Sequence, residues 1–337
     1  MVDTPMPTPI LSWSNITYDV KSKQGICRIL HNISSKIYPG ELVAIMGSSG
    51  AGKTTLLNVL LGRVQGGWLY GNIKFNGKKC IPHMFRCLLA YVKQDDLMFM
   101  QMKVKETLTV SVQLHLSDKK YTKEEKTKQV KSVMRQLHLT HVTDSKVISS
   151  SSGSSECGVS GSKHKRVSIG IELVTDPAIL VLDKPLSSLD LSSVEMIVSL
   201  TKEMAVQQKL CTLMTIHQPS AEMVSKFDKV IILAQGKLMY MGWVDEAVSH
   251  FKSLRFPLTH ANPAVFFIDL TTVDFSSDKA MHISEMHLQA LADAFIKHGK
   301  KEWSLTLATQ QAHFHQRSRP TAADMKSTLT SQKRSLQ

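Results

Sequence analysis

At 337 residues the chain can hold one large α/β domain with an insertion or two modest domains, since about 100–200 residues make one. Hydrophobic residues at 42% and charged residues at 20% exclude a collagen-like, disordered or disulfide-built chain. The formal charge of +13 admits nucleic acid, an anionic membrane face or a basic surface that suits nucleotides, and does not choose among them.

The first segment, Met1 to Ile10, lacks the charged and apolar regions of a signal peptide, and no window reaches the roughly 18 apolar residues of a membrane span. The chain is therefore expected neither to be secreted nor to cross a membrane. Two β-rich stretches follow, Ile10 to Val20 and Ile26 to Ile37; Pro39-Gly40 makes a turn, and Glu41 to Met46 reads as a buried strand. A helical pattern from Thr54 to Leu61 is stopped by Gly62, and a further strand pair flanks Gly71 and Asn76-Gly77. From Val104 to Leu139 the period becomes helical, with Val130, Val133, Met134 and Leu137 on one face, which predicts an inserted helical subdomain. Its lysines 119, 120, 123, 126, 128 and 131 suit a plain solvated face or a membrane-proximal one.

Ser149 to Ser155 is low in complexity and reads as a flexible loop. Strand and helix then alternate: Ile179 to Asp183, a helix near 192–207, Cys211 to Ile216, a short helix, and Lys229 to Ala234. This is the signature of a parallel α/β sheet. Beyond Asp274 one amphipathic helix through Ile283, Met286, Leu291 and Phe295 is expected, and Trp303 to Gln337 reads as tail. Cys27, Cys80, Cys87, Cys157 and Cys211 form no C-x-x-C pair, which predicts reduced thiols, mostly small core residues, rather than a zinc site or disulfides.

One segment carries explicit chemistry. Gly47, Ser48, Ser49, Gly50, Ala51, Gly52, Lys53 and Thr54 fit G-x-x-x-x-G-K-[ST] between a strand and a helix, with Thr55 next in the helix. In such a loop, backbone N–H groups and the helix N-terminus hold phosphates, Lys53 reaches the outer phosphates, and the Thr54 hydroxyl ligates Mg²⁺. ATP with Mg²⁺ is the expected ligand. Asp183 closes the apolar strand Ile179-Leu-Val-Leu182, where ligands of open α/β sheets collect, and is the expected Mg²⁺ partner rather than only a helix cap.

The order of further words gives a resemblance. Gln94 in Tyr91-Val-Lys-Gln-Asp-Asp, the stretch from Val159 to Gly170, Ser187-Ser-Leu-Asp190, and Thr215-Ile-His217-Gln-Pro-Ser resemble the Q-loop, signature, D-loop and H-loop of ABC ATPases. Val167-Ser-Ile-Gly170, Thr215 to Ser220 and Asn262 to Leu270 resemble the G subfamily in particular, the white-pigment type of half-transporter, over about Ile10 to Val273. The resemblance implies an α/β fold: a P-loop RecA-like core with a mixed sheet, an antiparallel β edge subdomain and a helical subdomain at about 95–176. It also implies a nucleotide-binding domain at 1–273 and a partly disordered linker or tail at 274–337. Gln94 would sense Mg²⁺ and the attacking water, His217 would contact the γ-phosphate, Asp190 would lie at a dimer seam, and Ser160 and Gly161 would face nucleotide. Such chains pair with a second half-transporter and a six-helix membrane domain, here in trans or outside this sequence, on the cytoplasmic face of a membrane; no nucleic-acid partner is implied. Adenine recognition stays open, since Val20, where an aromatic is usual, cannot stack; Tyr18 beside it reads as a core residue.

Two segments depart from the family pattern. Lys184 stands where a glutamate usually polarises the hydrolytic water, and an ammonium accepts no proton unless strongly desolvated. Losing general-base help costs about 10²–10⁴ in rate. Ser162 and Lys163 replace the second glycine and the acidic or amide residue of the signature, which adds bulk where the partner's nucleotide approaches unless Lys163 offsets it by attracting phosphate. The function expected is an ATP-binding subunit of a G-type half-transporter that couples ATP binding to export, with hydrolysis impaired. The alternative is a truncated or non-transporting ATP-binding subunit that regulates a full-length partner.

Overall fold

The computed structural model describes residues 8–23, 25–79, 88–94, 98–99, 101–147, 159–187, 189–217, 219–256, 260 and 262–317, with side chains to residue 297. Alternating buried and exposed positions along the first two β-rich stretches produce long antiparallel strands, β1 (Leu11–Ser22) and β2 (Gly25–Ile37). They pair from Leu11 with Ile37 to Ser22 with Gly25. β4 (Trp68–Phe75) lies on the other side of β1, and β5 (Lys78–Lys79) follows the Asn76-Gly77 turn, giving the order β2-β1-β4-β5. Gly71 does not separate two strands. It lies within β4 where β1 shifts register between Ser14 and Thr17, and a Cβ there would stand 2.6 Å from the Ser14 and Asn15 carbonyl oxygens.

The second sheet is built from the short, mainly apolar runs. β3 (Leu42–Met46), β6 (Leu89–Val92), β7 (Ile179–Leu182), β8 (Cys211–Thr215) and β9 (Lys229–Ala234) are parallel, and β10 (Lys237–Trp243) returns antiparallel, in the order β10-β9-β3-β8-β7-β6. Every residue of β3, β7, β8 and β9 is buried, as strands covered on both faces require. Helix α1 (Lys53–Leu60) joins the two sheets: its Leu56, Leu57 and Leu60 share one apolar cluster with Trp13, Ile16, Leu30 and Ile33 of the antiparallel sheet and Ile45, Leu213 and Ile231 of the mixed one. Tyr18 packs in the same cluster and donates its hydroxyl to the Gly66 carbonyl at 3.0 Å.

Between β6 and β7 the helical insertion consists of α2 (Val104–His115), α3 (Lys123–Gln136) and α4 (Gly161–Leu173). Val130, Val133, Met134 and Leu137 are buried, as their spacing predicts. Thr122 caps α3 by accepting from the Glu125 N–H at 3.2 Å, while Glu125 accepts from the Thr122 N–H at 2.8 Å. Lys119, Lys120, Lys123, Lys128 and Lys131 are solvated, but Lys126 is buried, with Nζ 2.7 Å from Asp118. The expected loop at Ser149 to Ser155 lies outside the described residues, as do Cys80, Cys87 and Cys157; Cys211 is in the core, whereas Cys27 is exposed.

Further helices after β7 are α5 (Leu191–Gln208), α6 (Ala221–Ser225), α7 (Val244–Ser253) and α8 (Pro263–Leu270). The chain divides into two units, Met1–Leu288 and Gln289–Gln337. The last helix, α9 (Asp278–Arg317), runs beyond Trp303, where composition suggested a tail; no proline or glycine interrupts 301–317. Residues 318–337 of that expected tail lie outside the described residues. Among the described residues no helix is long and apolar enough to cross a membrane.

At the start of β3 a buried ion pair sets the register of the mixed sheet. Glu41 and Lys229 meet at 2.6 Å, Glu41 also accepts from the Tyr38 N–H at 2.9 Å, and the Lys229 ammonium lies 4.8 and 5.0 Å from the Tyr38 and Trp243 ring centres. Burial pushes the Glu41 carboxyl above the usual carboxylate range, against the pull of Lys229. Removing one partner strands the other. Glu41→Ala is expected to cost about 3–5 kcal/mol in urea unfolding, and Glu41→Leu with Lys229→Met to recover most of it.

Candidate nucleotide site

The loop Gly47–Gly52 leaves the C-terminal end of β3 and opens α1. Gly47 has φ +147°, and a Cβ on it would lie 2.1 Å from the Leu233 carbonyl oxygen of β9, so a side chain there would displace the loop from the sheet. The outer side of the loop is braced through backbone: the Gly236 N–H donates to the Ala51 carbonyl at 3.0 Å, and the His31 N–H donates to the Gly236 carbonyl at 2.8 Å. No side chain caps α1 and no acidic residue lies in its first turn, which leaves the helix N-terminus to an anion. Ser49, Gly50 and Thr54 are exposed, Ser48, Gly52 and Thr55 half-buried, and Ala51 buried. Lys53 is buried, and its ammonium donates to the Gly47 and Ser48 carbonyls at 2.8 Å each, which holds it over the loop.

Asp183, at the end of β7, gathers three hydroxyls. Its Oδ1 accepts from Thr215 at 2.7 Å and from Thr54 at 3.3 Å, and its Oδ2 accepts from Tyr91 at 3.3 Å. Sequence reasoning found Thr54 and Asp183 but gave no role to Tyr91 or Thr215. The signal available was that both lie in buried strands neighbouring β7, on either side of it. The Tyr91 hydroxyl is pushed up to about 12, by burial first and then by the Asp183 charge and hydrogen bond, so it stays a donor. The Arg63 guanidinium lies 4.5 Å above its ring centre.

Lys184 follows immediately, in a left-handed backbone conformation at φ +45°. Its N–H donates to the Thr215 hydroxyl oxygen at 2.6 Å, so the turn is fixed to the same hub that holds Asp183. The side chain is half-buried. Burial and then repulsion by Lys184 hold the Lys53 ammonium below the usual lysine range, with Asp183 opposing. His217, exposed just after β8, is held below the usual imidazole range by burial, then by Lys53, then by Lys184. Lys53, Thr54, Asp183, Lys184 and His217 therefore share one electrostatic environment. Gln94 is exposed in the bend after β6, the strand paired with β7.

The signature segment stands apart from this group. Ser160 and Gly161 are exposed at the start of α4, while Ser162 is buried in its own chain with its Oγ 3.5 Å from that of Ser160. The expected bulk at the helix tip is thus turned inward. Lys165, one turn on and buried, donates to the Lys93 carbonyl at 3.0 Å and the Gln94 carbonyl at 3.2 Å, a tie between α4 and the segment after β6 that motif reading missed. Asp190 caps α5: its carboxylate accepts from the Ser192 and Ser193 hydroxyls and the Ser193 N–H, which draw it down to about 2. Ser188, Gln218, Asp95 and Asp96 of the expected motif words lie outside the described residues.

The loop, the carboxylate hub and the helical insertion define the ATP-binding cassette of an ABC transporter, and the ABC transporter family matches residues 30–187. The chain belongs to the G family of these proteins. It is 33% identical over 326 residues to ABC transporter G family member 22 of Dictyostelium discoideum, covering 92% of this chain and 52% of that protein. It is 36% identical over 293 residues to ABC transporter G family member 7 of Arabidopsis thaliana, covering 85% and 39%. Against the broad substrate specificity ATP-binding cassette transporter ABCG2 of Bos taurus, identity is 38% over 278 residues, covering 80% and 41%. The chain thus spans about half or less of the length of these relatives. In fold it is similar to cbiO1 of Clostridium perfringens, part of the ABC transporter complex cbiONQ, with a TM-score of 0.61 at 23% identity over 74% of this chain and 94% of that one.

The Lys165 tie is open to direct measurement. Lys165→Met is expected to speed amide hydrogen exchange at Val92, Lys93 and Gln94 by about tenfold or more, because bonds from a charged donor are worth about 1.5–3 kcal/mol. Exchange in β3 and β8 should not change.

Proposed function

We propose that this chain is the ATP-binding part of a G-type half-transporter that holds ATP firmly and turns it over slowly. The carrying observation is the contrast within one site. The phosphate loop, Lys53 held over it and the hydroxyls gathered on Asp183 suit a bound triphosphate, whereas the residue after Asp183 is a lysine whose charge opposes that of Lys53. In this reading Lys53 and the α1 N-terminus bind the phosphates, and His217, kept neutral by its surroundings, offers an N–H to the terminal one. Thr54, Asp183 and Gln94 offer the hard oxygen donors that Mg²⁺ takes, and no denser acidic cluster is needed, since that ion keeps several waters and phosphate oxygens. When bound, the ion neutralises phosphate charge.

The rest of the assembly is part of the same proposal. Residues 1–273 form the nucleotide-binding domain and 274–337 a connecting segment. A second half-transporter chain supplies a signature that faces this loop, and Ser160 and Gly161 at the exposed start of α4 face the partner's nucleotide in return. A membrane domain, in trans or beyond this sequence, carries the exported substrate, which places this domain at the cytoplasmic face of a membrane. Because Ser162 is turned inward, the weight of the impairment falls on Lys184 and on the site built on this chain's own loop. A site of that kind also suits a second reading, in which the chain regulates a full-length partner by occupancy alone.

Purified protein should show Mg-dependent ATP turnover far below that of an ordinary ABC ATPase. Lys184→Glu should raise it by about 10²–10⁴ by restoring a proton acceptor. Ordinary turnover in the native chain, with no gain in the variant, would show that Lys184 does not limit hydrolysis. Co-purification with an intact half-transporter whose own turnover depends on ATP bound to this chain would select the regulatory reading.

A further inference from the structure

We propose that Glu172, near the end of α4, is a positioning residue that orients the Asp183 carboxylate, acting through Tyr91. The inference rests on the reading that Thr54 and Asp183 hold magnesium beside bound ATP, and deepens it by naming what sets the carboxylate.

β6 is the last strand of the mixed sheet and pairs with β7 alone among the described strands. Its outer edge therefore carries backbone groups that need partners from elsewhere. α4 supplies them with side chains of matching polarity. The half-buried Glu172 carboxylate accepts from the Tyr91 N–H at 3.2 Å. Two turns earlier on the same face, the Lys165 ammonium donates to the Lys93 and Gln94 carbonyls at 3.0 and 3.2 Å. The helix from Lys165 to Glu172 and the strand path from Gln94 back to Tyr91 both measure about 10 Å, so the two contacts fit together in one register. A shift of α4 by one turn along the edge breaks both.

Tyr91 is also the residue whose hydroxyl donates to Asp183 Oδ2 at 3.3 Å. Thr54 and Thr215 both donate to the other oxygen, Oδ1. Among the described residues, Tyr91 is thus the group that fixes the rotation of the carboxylate about its last bond. Tyr91 itself is held at its N–H by Glu172 and at its ring by the Arg63 guanidinium, 4.5 Å from the ring centre. The following carbonyl, that of Val92, accepts from the Asp183 N–H at 3.0 Å. Releasing the Glu172 bond frees the edge strand from α4, and the hydroxyl moves with the strand. An ion that demands near-octahedral oxygen geometry is sensitive to such a rotation, whereas phosphates held by Lys53 and the α1 N-terminus are not.

The test is calorimetric ATP binding at a series of magnesium concentrations, reading the magnesium needed for half of the full gain in affinity. Glu172→Met keeps the length and loses the acceptor; it should raise that concentration by about three- to tenfold, with ATP affinity in excess EDTA within about twofold of native. Glu172→Gln keeps an acceptor and should stay near the native value. Tyr91→Phe should raise the requirement as Glu172→Met does, and the two together no further than Tyr91→Phe alone, because both cut one path. Glu172→Ala gives the same reading should the methionine variant fold poorly. A native magnesium requirement in Glu172→Met overturns the inference and leaves the ATP-binding reading standing. So does a double variant whose rise is the product of the single ones, or a Glu172→Gln protein that behaves like Glu172→Met. Native protein whose ATP binding ignores magnesium, or that binds no ATP at all, overturns the reading of the site as well.

Discussion

A single buried carboxylate, Asp183, is the point on which the site depends. Hydroxyls from the end of β6, the end of β8 and the start of α1 all donate to it, so the strand order β8-β7-β6 and the position of the phosphate loop are read out at one pair of oxygens. In a low-dielectric setting a carboxylate with three neutral donors is held firmly in position. The consequence is that the residue after it, Lys184, inherits a fixed backbone through the same Thr215 hydroxyl.

The mixed sheet separates stability from chemistry along β3. At its first residues the buried Glu41–Lys229 pair and the Asp228 carboxylate, which accepts from the Leu42 N–H at 2.9 Å and the Lys202 ammonium, anchor β3 to β9. At its last residue the chain enters the phosphate loop. The five apolar residues between them carry no polar side chain. The loop is held by backbone bonds and by close approach at Gly47, and the ions that fix the register lie at the opposite end of the strand, away from the charges that meet nucleotide.

Much of this was legible in the sequence. The runs that became β3 and β7 are uniformly apolar, and those of β8 and β9 nearly so, because both faces of a parallel sheet are covered, and the glycine-rich loop between a strand and a helix has a fixed spacing that phosphate binding demands. What was not legible depends on side-chain direction or on distant neighbours. Gly71 looks like a strand break but serves a bulge in β1 some 50 residues earlier in the chain, between Ser14 and Thr17. Ser162 looks like bulk at a helix tip, yet its side chain turns into its own chain. Tyr91 and Thr215 are ordinary strand residues until the sheet order sets them beside Asp183. The length of α9 was hidden because its sequence between 301 and 317 is polar without being broken.

Lys165 reaches the segment after β6 through two main-chain carbonyls, those of Lys93 and Gln94, and not through their side chains. Carbonyl oxygens are the same whatever residue bears them, so the tie places no demand on which amino acids occupy those two positions. The side chain at 94 could change in the course of evolution, and its chemistry with it, while the path between α4 and the sheet survived unaltered. The connection is heritable separately from the chemistry of the side chain at position 94.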